Sequence, residues 1–136
     1  MPDSFLADIS GCRFEDLVQR SGSLNHFTIF LNPGIVVSRF HLEVAFSLLP
    51  RFQNTRIKNR HALFCALLTG ERQARVALEA ARPPGDRAVV FTDASREEAL
   101  REFPCLRPIA EIPEDARERD REAFAKICRA EMNLQV

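Results

Sequence analysis

Residues 31–82 read LNPGIVVSRFHLEVAFSLLPRFQNTRIKNRHALFCALLTGERQARVALEAAR, three helical patterns in succession with no strand between them. Asn32-Pro33-Gly34 turns the chain. Ser38 can cap a first helix whose apolar residues Phe40, Leu42, Val44, Ala45, Phe46, Leu48 and Leu49 nearly surround the axis, so much of it is expected to be buried. Pro50 limits it. The polar linker Arg51 to Lys58 leads to Asn59, the expected cap of a second helix over Arg60 to Thr69, with Ala62, Leu63, Ala66 and Leu67 inward and Gly70 placed to end it. A third helix is expected over Glu71 to Arg82, with Ala74, Ala77, Leu78 and Ala81 inward, closed by Pro83-Pro84-Gly85.

Upstream, Phe5 to Ile9 reads as a short strand broken at Gly11, and Phe14, Leu17 and Val18 fall at helical spacing until Ser21-Gly22-Ser23. Phe27 to Leu31 is a clearer strand, aromatic and β-branched. Downstream, Ala88 to Phe91 is a strand, and Asp93 is the expected cap of a short helix through Phe103. Cys105 to Ile112 is expected to be an edge strand, because Pro104, Pro108 and Pro113 remove backbone donors. The last helix is expected to begin near Pro113 with Glu114 and Asp115 in its first turn, and to present Phe124, Ile127 and Cys128 as its apolar stripe. The order predicts an α+β fold, one domain over residues 1–136 in which a small, mostly antiparallel sheet of about four strands is covered by helices. A chain of 136 residues can bury one core and is too short for two ordinary domains.

Charge is segregated along this neutral molecule. Arg39, Arg51, Arg56, Lys58, Arg60, Arg72, Arg75 and Arg82 face only Glu43, Glu71 and Glu79 between Ile35 and Arg82, a net of +5, whereas ten acids against six Arg give −4 from Asp93 to Glu122. Such a basic block is suited to a polyanion, above all nucleic acid. Lysine occurs only at Lys58 and Lys126, so the positive charge is nearly all guanidinium, which favours bidentate phosphate contacts. The groups Arg56-Ile57-Lys58-Asn59-Arg60 and Gly70-Glu71-Arg72-Gln73-Ala74-Arg75 each stand at an expected helix start, where free backbone donors add to side-chain charge. The alternative is that both are solvated faces of amphipathic helices. Phe40, Phe46 and Phe64 are expected in the core, and Phe52, set in a polar linker, is a candidate exposed ring.

No apolar run approaches a membrane span and the first residues lack the pattern of a signal peptide, so a cytoplasmic protein is expected. Cys12, Cys65, Cys105 and Cys128 stand singly and are expected to be buried free thiols. No phosphate-loop, dinucleotide-binding or zinc-site motif is present, and nothing in the sequence sets His26, His41 or His61 beside a nucleophile. Neither a cofactor, a metal nor a catalytic residue is expected.

Leu31-Asn32-Pro33-Gly34-Ile35-Val36-Val37-Ser38-Arg39-Phe40-His41-Leu42, followed by Thr69-Gly70-Glu71-Arg72-Gln73 and Ala77-Leu78, resembles the PRPK-binding protein family, which includes the small TPRKB-type subunit of the KEOPS (EKC) complex. The ending Ile127-Cys128-Arg129 looks like the last helix of eukaryotic members, and the Gly70-x-Arg72-Gln73 helix start looks like archaeal ones. The resemblance implies a noncatalytic subunit that binds the Bud-type kinase/ATPase of a complex installing threonylcarbamoyl on the adenosine beside the tRNA anticodon. In archaeal relatives it implies recruitment of tRNA by its single-stranded CCA end. The RNA-binding residues expected on this basis are Arg56, Lys58, Arg60, Arg72, Gln73 and Arg75, and the partner-binding residues are Ile127, Glu131, Leu134 and Val136. A protein-only adaptor of the kinase, without nucleic-acid contact, is the alternative.

Overall fold

The computed structural model describes residues 2–52 and 57–134, with side chains described through residue 130. It shows an α+β fold with the expected order of elements: β1 (Asp3–Asp8), α1 (Phe14–Ser23), β2 (Thr28–Leu31), α2 (Arg39–Leu48), α3 (Arg60–Thr69), α4 (Ala74–Ala81), β3 (Arg87–Thr92), α5 (Arg96–Glu102), β4 (Arg107–Ala110) and α6 (Glu118–Leu134). They form two compact units, each assembled from two stretches of chain.

The first unit comprises Met1–Pro33 with Pro83–Ile112. Its sheet has the order β2-β3-β1-β4 with every neighbouring pair antiparallel. Register sets Phe5 and Phe30 on either side of Val90, and Ala7 beside Ala88. Because side chains alternate along a strand, these residues share one face, where Leu17 of α1, Phe103 and Leu106 complete a buried cluster. Phe30 and Phe103 meet edge to face at 5.0 Å. As expected for an edge carrying Pro108, β4 pairs only with β1, and it is shorter than the span from Cys105 to Ile112. Arg96 of α5 ties the sheet's end by bonding Asp3 and Glu111 while its guanidinium lies 4.7 Å over the Phe5 ring.

Four readings change in this unit. Cys12 and Cys105 are not free thiols but a disulfide, their Cα atoms 5.4 Å apart and 93 positions apart in sequence. Val18 is half exposed, because α1 buries only Leu17 and Ser21. The Ser21-Gly22-Ser23 run forms the last turn of α1, with Ser21 and Ser23 hydroxyls donating back to the Val18 and Arg20 carbonyls. Asp93 caps no helix: its carboxylate accepts the Phe27 N–H at 2.8 Å, and Ser95 caps α5 by accepting from Glu98 N–H.

The second unit comprises Gly34–Arg82 with Pro113–Val136. Ser38 and Asn59 cap α2 and α3 as expected, accepting from the His41 and Ala62 N–H groups at 3.1 and 3.0 Å. The fully wrapped helix is α3 rather than α2, since every residue from Ala62 to Leu68 is buried, whereas α2 buries His41, Leu42 and Ala45 and leaves Phe40 46% exposed. After α2, a 3₁₀ turn over Leu49–Phe52 carries Phe52 inward to 1% exposure, so it is core and no candidate ring.

The last helix begins later than Pro113 for a visible reason. The Pro113 and Glu114 carbonyls accept the Arg39 and Phe40 N–H groups, two of the donors that α2 leaves open at its start. That keeps 113–114 out of the last helix. Arg117, at φ 44°, then turns the chain into α6, whose inward stripe is Asp120, Ala123, Ile127 and Ala130, with Cys128 exposed.

Candidate nucleic-acid interface

Lys58, Arg60, Arg72, Gln73 and Arg75 all lie on the second unit. Gly70 ends α3 at φ 79°, a left-handed conformation that glycine adopts without the Cβ penalty, and its N–H returns to the Ala66 carbonyl at 2.8 Å. The chain then runs through Glu71, Arg72 and Gln73 before α4 starts at Ala74, three residues later than expected. Gln73 stands at the cap position but its side chain makes no capping bond. The first N–H groups of α4 therefore receive no acceptor from the Gln73 side chain, and Arg72, Gln73 and Arg75 are exposed around the positive end of its dipole.

A fourth polar group, which the linear reading left out, joins this corner from α6. A Cβ placed on Gly70 would lie 3.7 Å from the Lys126 carbonyl oxygen and 3.9 Å from the Lys126 Cβ, so α6 runs directly beside the α3–α4 junction. Lys126 is exposed, and Arg129, also exposed, follows at i+3 on the same flank. Burial of Ala123, Ile127 and Ala130 fixes that rotation of α6, and only the helix's inward stripe, read correctly, would have found Lys126.

The second basic group is set apart. Lys58 and Arg60 are exposed at the start of α3, whose ten residues put them about 15 Å along the axis from the α4 start. The Arg60 guanidinium lies 5.8 Å from the Phe46 ring centroid, which stands 6.5 Å from Phe64. Arg56 falls outside the described residues. Of the expected partner-binding residues, Ile127 is 3% exposed and committed to the packing of α6; the side chains of Glu131 and Leu134, and Val136 altogether, fall outside what is described. Leu78, expected inward on α4, is 44% exposed. Phe40 stands edge to face with Phe124 at 5.5 Å, so an aromatic pair reaches the surface between α2 and α6.

Beneath this surface lies a polar staple. The Ser38 hydroxyl donates to Asp120 Oδ1 at 2.7 Å, Asp120 Oδ2 accepts the Ala116 N–H at 2.7 Å, and the Val37 N–H reaches His41 Nδ1 at 3.3 Å. Serine, histidine and aspartate meet here without the wiring of a serine–histidine–aspartate triad, since the Ser38 hydroxyl donates to the carboxylate and the His41 Nδ1 faces the Val37 N–H. His41 Nε2 is buried without a hydrogen-bond partner. Burial pushes the His41 pKa down to about 4, against the nearby Asp120 carboxylate and with the Lys126 charge. Burial likewise pushes the Cys65 thiol up to about 12, leaving it protonated at neutral pH. Among the described residues no cluster of His, Cys, Asp and Glu is arranged to hold a metal ion, and no helix is long and apolar enough to cross a membrane.

What this face can do chemically is hold an anion: guanidinium and ammonium groups with open backbone donors around Gly70–Arg75, an amide at Gln73, and two further cations along α3. No protein-family model and no curated protein sequence matches the chain.

Proposed function

We propose that this chain is the small noncatalytic subunit of a KEOPS-type complex, working in the cytoplasm, which binds the Bud-type kinase/ATPase and recruits tRNA through its CCA end for threonylcarbamoyladenosine formation. One observation carries the RNA half: Arg72, Gln73 and Arg75 are exposed together at the uncapped start of α4, with Lys126 of α6 alongside. Guanidinium and ammonium groups take phosphates, which position a strand, and the Gln73 amide offers a donor and an acceptor to an unpaired base edge. Lys58 and Arg60, about 15 Å away along α3, extend the basic track toward the body of the RNA. The kinase half of the proposal rests on the resemblance and on α6.

The protein-only adaptor remains a second reading because of the Phe40–Phe124 pair, an exposed aromatic edge of the kind that anchors protein partners. The two are separated by the double change Lys58→Glu with Arg72→Glu, both at exposed positions. Anisotropy with labelled tRNA across a salt series should show weaker binding and a log K against log[salt] slope flatter by about 2, roughly 1 for each phosphate contact. An unchanged helical spectrum confirms the fold. Normal tRNA binding by that variant contradicts the RNA reading.

A further inference from the structure

We propose that the Cys12–Cys105 disulfide is an exchange site for a low-molecular-weight thiol, with Cys105 the sulfur that is attacked and reversibly thiolated. The bond forms part of the wall of a groove of about 320 Å³ on the first unit, lined also by Gly11, Arg13, Leu17 and Pro104. That volume lies within the range of small-molecule sites. Both cysteines are half-buried and pack against the edge of the core cluster, with the groove on their other side.

Position makes the two sulfurs unequal. Cys12 lies just before Arg13 and the first turn of α1, a ten-residue helix whose cap residue, Arg13, makes no side-chain capping bond. The positive end of that helix stabilises a thiolate at Cys12, although Glu15 and Asp16 offset the charge of Arg13. Cys105 instead follows the end of α5, where the dipole is negative. Cys12 is thus the better leaving group, and the preferred attack is on Cys105.

In the step, the small thiolate bonds to Cys105 Sγ, the electron pair of the Cys12–Cys105 bond passes to Cys12 Sγ, and that thiolate takes a proton from water. A second thiolate can displace Cys105 from the mixed disulfide, leaving the protein dithiol and the oxidised small disulfide. Exchange unties the start of α1 from the segment after α5, removing a crosslink between positions 93 apart. A bond that cycles in this way suits a reducing compartment, where permanent crosslinks are rare.

The test uses the full chain carrying Cys128→Ser, which removes the exposed free thiol. The folded protein is held at neutral pH in excess reduced glutathione, quenched with acid at intervals and peptide-mapped. Since the sulfur at the helix start leaves faster, the expected result is more mixed disulfide on Cys105 than on Cys12. Its rate should not change with urea below the unfolding transition. Adduct that forms only where the chain unfolds overturns the site, and adduct on Cys12 at least equal to that on Cys105 overturns the direction of attack.

Discussion

His41 should make a separable contribution to the acid destabilisation of this protein. Its ring is 1% exposed, Nε2 has no acceptor, and the pKa is pushed from 6.5 down to about 4. Above pH 6.5 the imidazole is neutral in both folded and unfolded chains and its titration costs nothing. Between 6.5 and about 4 the unfolded chain takes up a proton that the folded one refuses, so stability falls with pH and levels off below the folded pKa. Linkage puts the loss at about 2 kcal/mol by pH 5 and about 3 kcal/mol by pH 4. Full burial leaves little solvent screening to reduce it. Urea unfolding of the native protein and of His41→Phe, at about pH 7.5 and about pH 5, isolates this contribution from the titration of every carboxylate. The native protein should lose about 2 kcal/mol more than the variant between the two conditions. Losses equal within about 0.5 kcal/mol would refute the reasoning.

Other consequences follow from the helix ends and the staple. Asn59→Ala removes the acceptor for the Ala62 N–H and should cost about 1 kcal/mol in denaturant unfolding, with the slope unchanged. Asp120→Ala strands the Ser38 hydroxyl and the Ala116 N–H beneath α6 and should cost about 2 kcal/mol or more by the same measurement. If the proposed interface holds RNA, Lys126→Glu should weaken tRNA binding uniformly across tRNA sequences and flatten the salt dependence by about 1, as loss of one phosphate contact does.

The ends of α3 were legible to the residue because a cap and a terminator are local chemistry: Asn59 accepts its own helix's third donor, and Gly70 adopts a conformation that a Cβ makes costly. The two strands richest in β-branched and aromatic residues were legible to within a residue at each end, 27–31 forming as Thr28–Leu31 and 88–91 as Arg87–Thr92, and so was the edge position of the Pro108 segment. What misled was long-range. Glu114 and Asp115 look like a helix's first turn, but the carbonyls at 113 and 114 serve α2 instead. Asp93 looks like a cap and is consumed by Phe27 N–H, 66 positions away. Cys12 and Cys105 carry no spacing signal, because only the fold brings them together. The α6 stripe was right at Ile127 and misplaced on either side of it, because its other apolar buried residues are small, Ala123 and Ala130, and hydrophobicity drew the reading to Phe124 and Cys128. That error also hid Lys126. The basic block was legible as charge, whereas its division into two sites about 15 Å apart follows from α3 standing between them.

The central claim is recruitment of tRNA by its single-stranded end. Titration of one tRNA, intact and with its CCA end trimmed, at a single fixed ionic strength tests it most directly. The account predicts clear loss of affinity on trimming, since Gln73 and the α4 start would lose the unpaired bases while the duplex phosphates remain. Equal affinity for the two forms would contradict it.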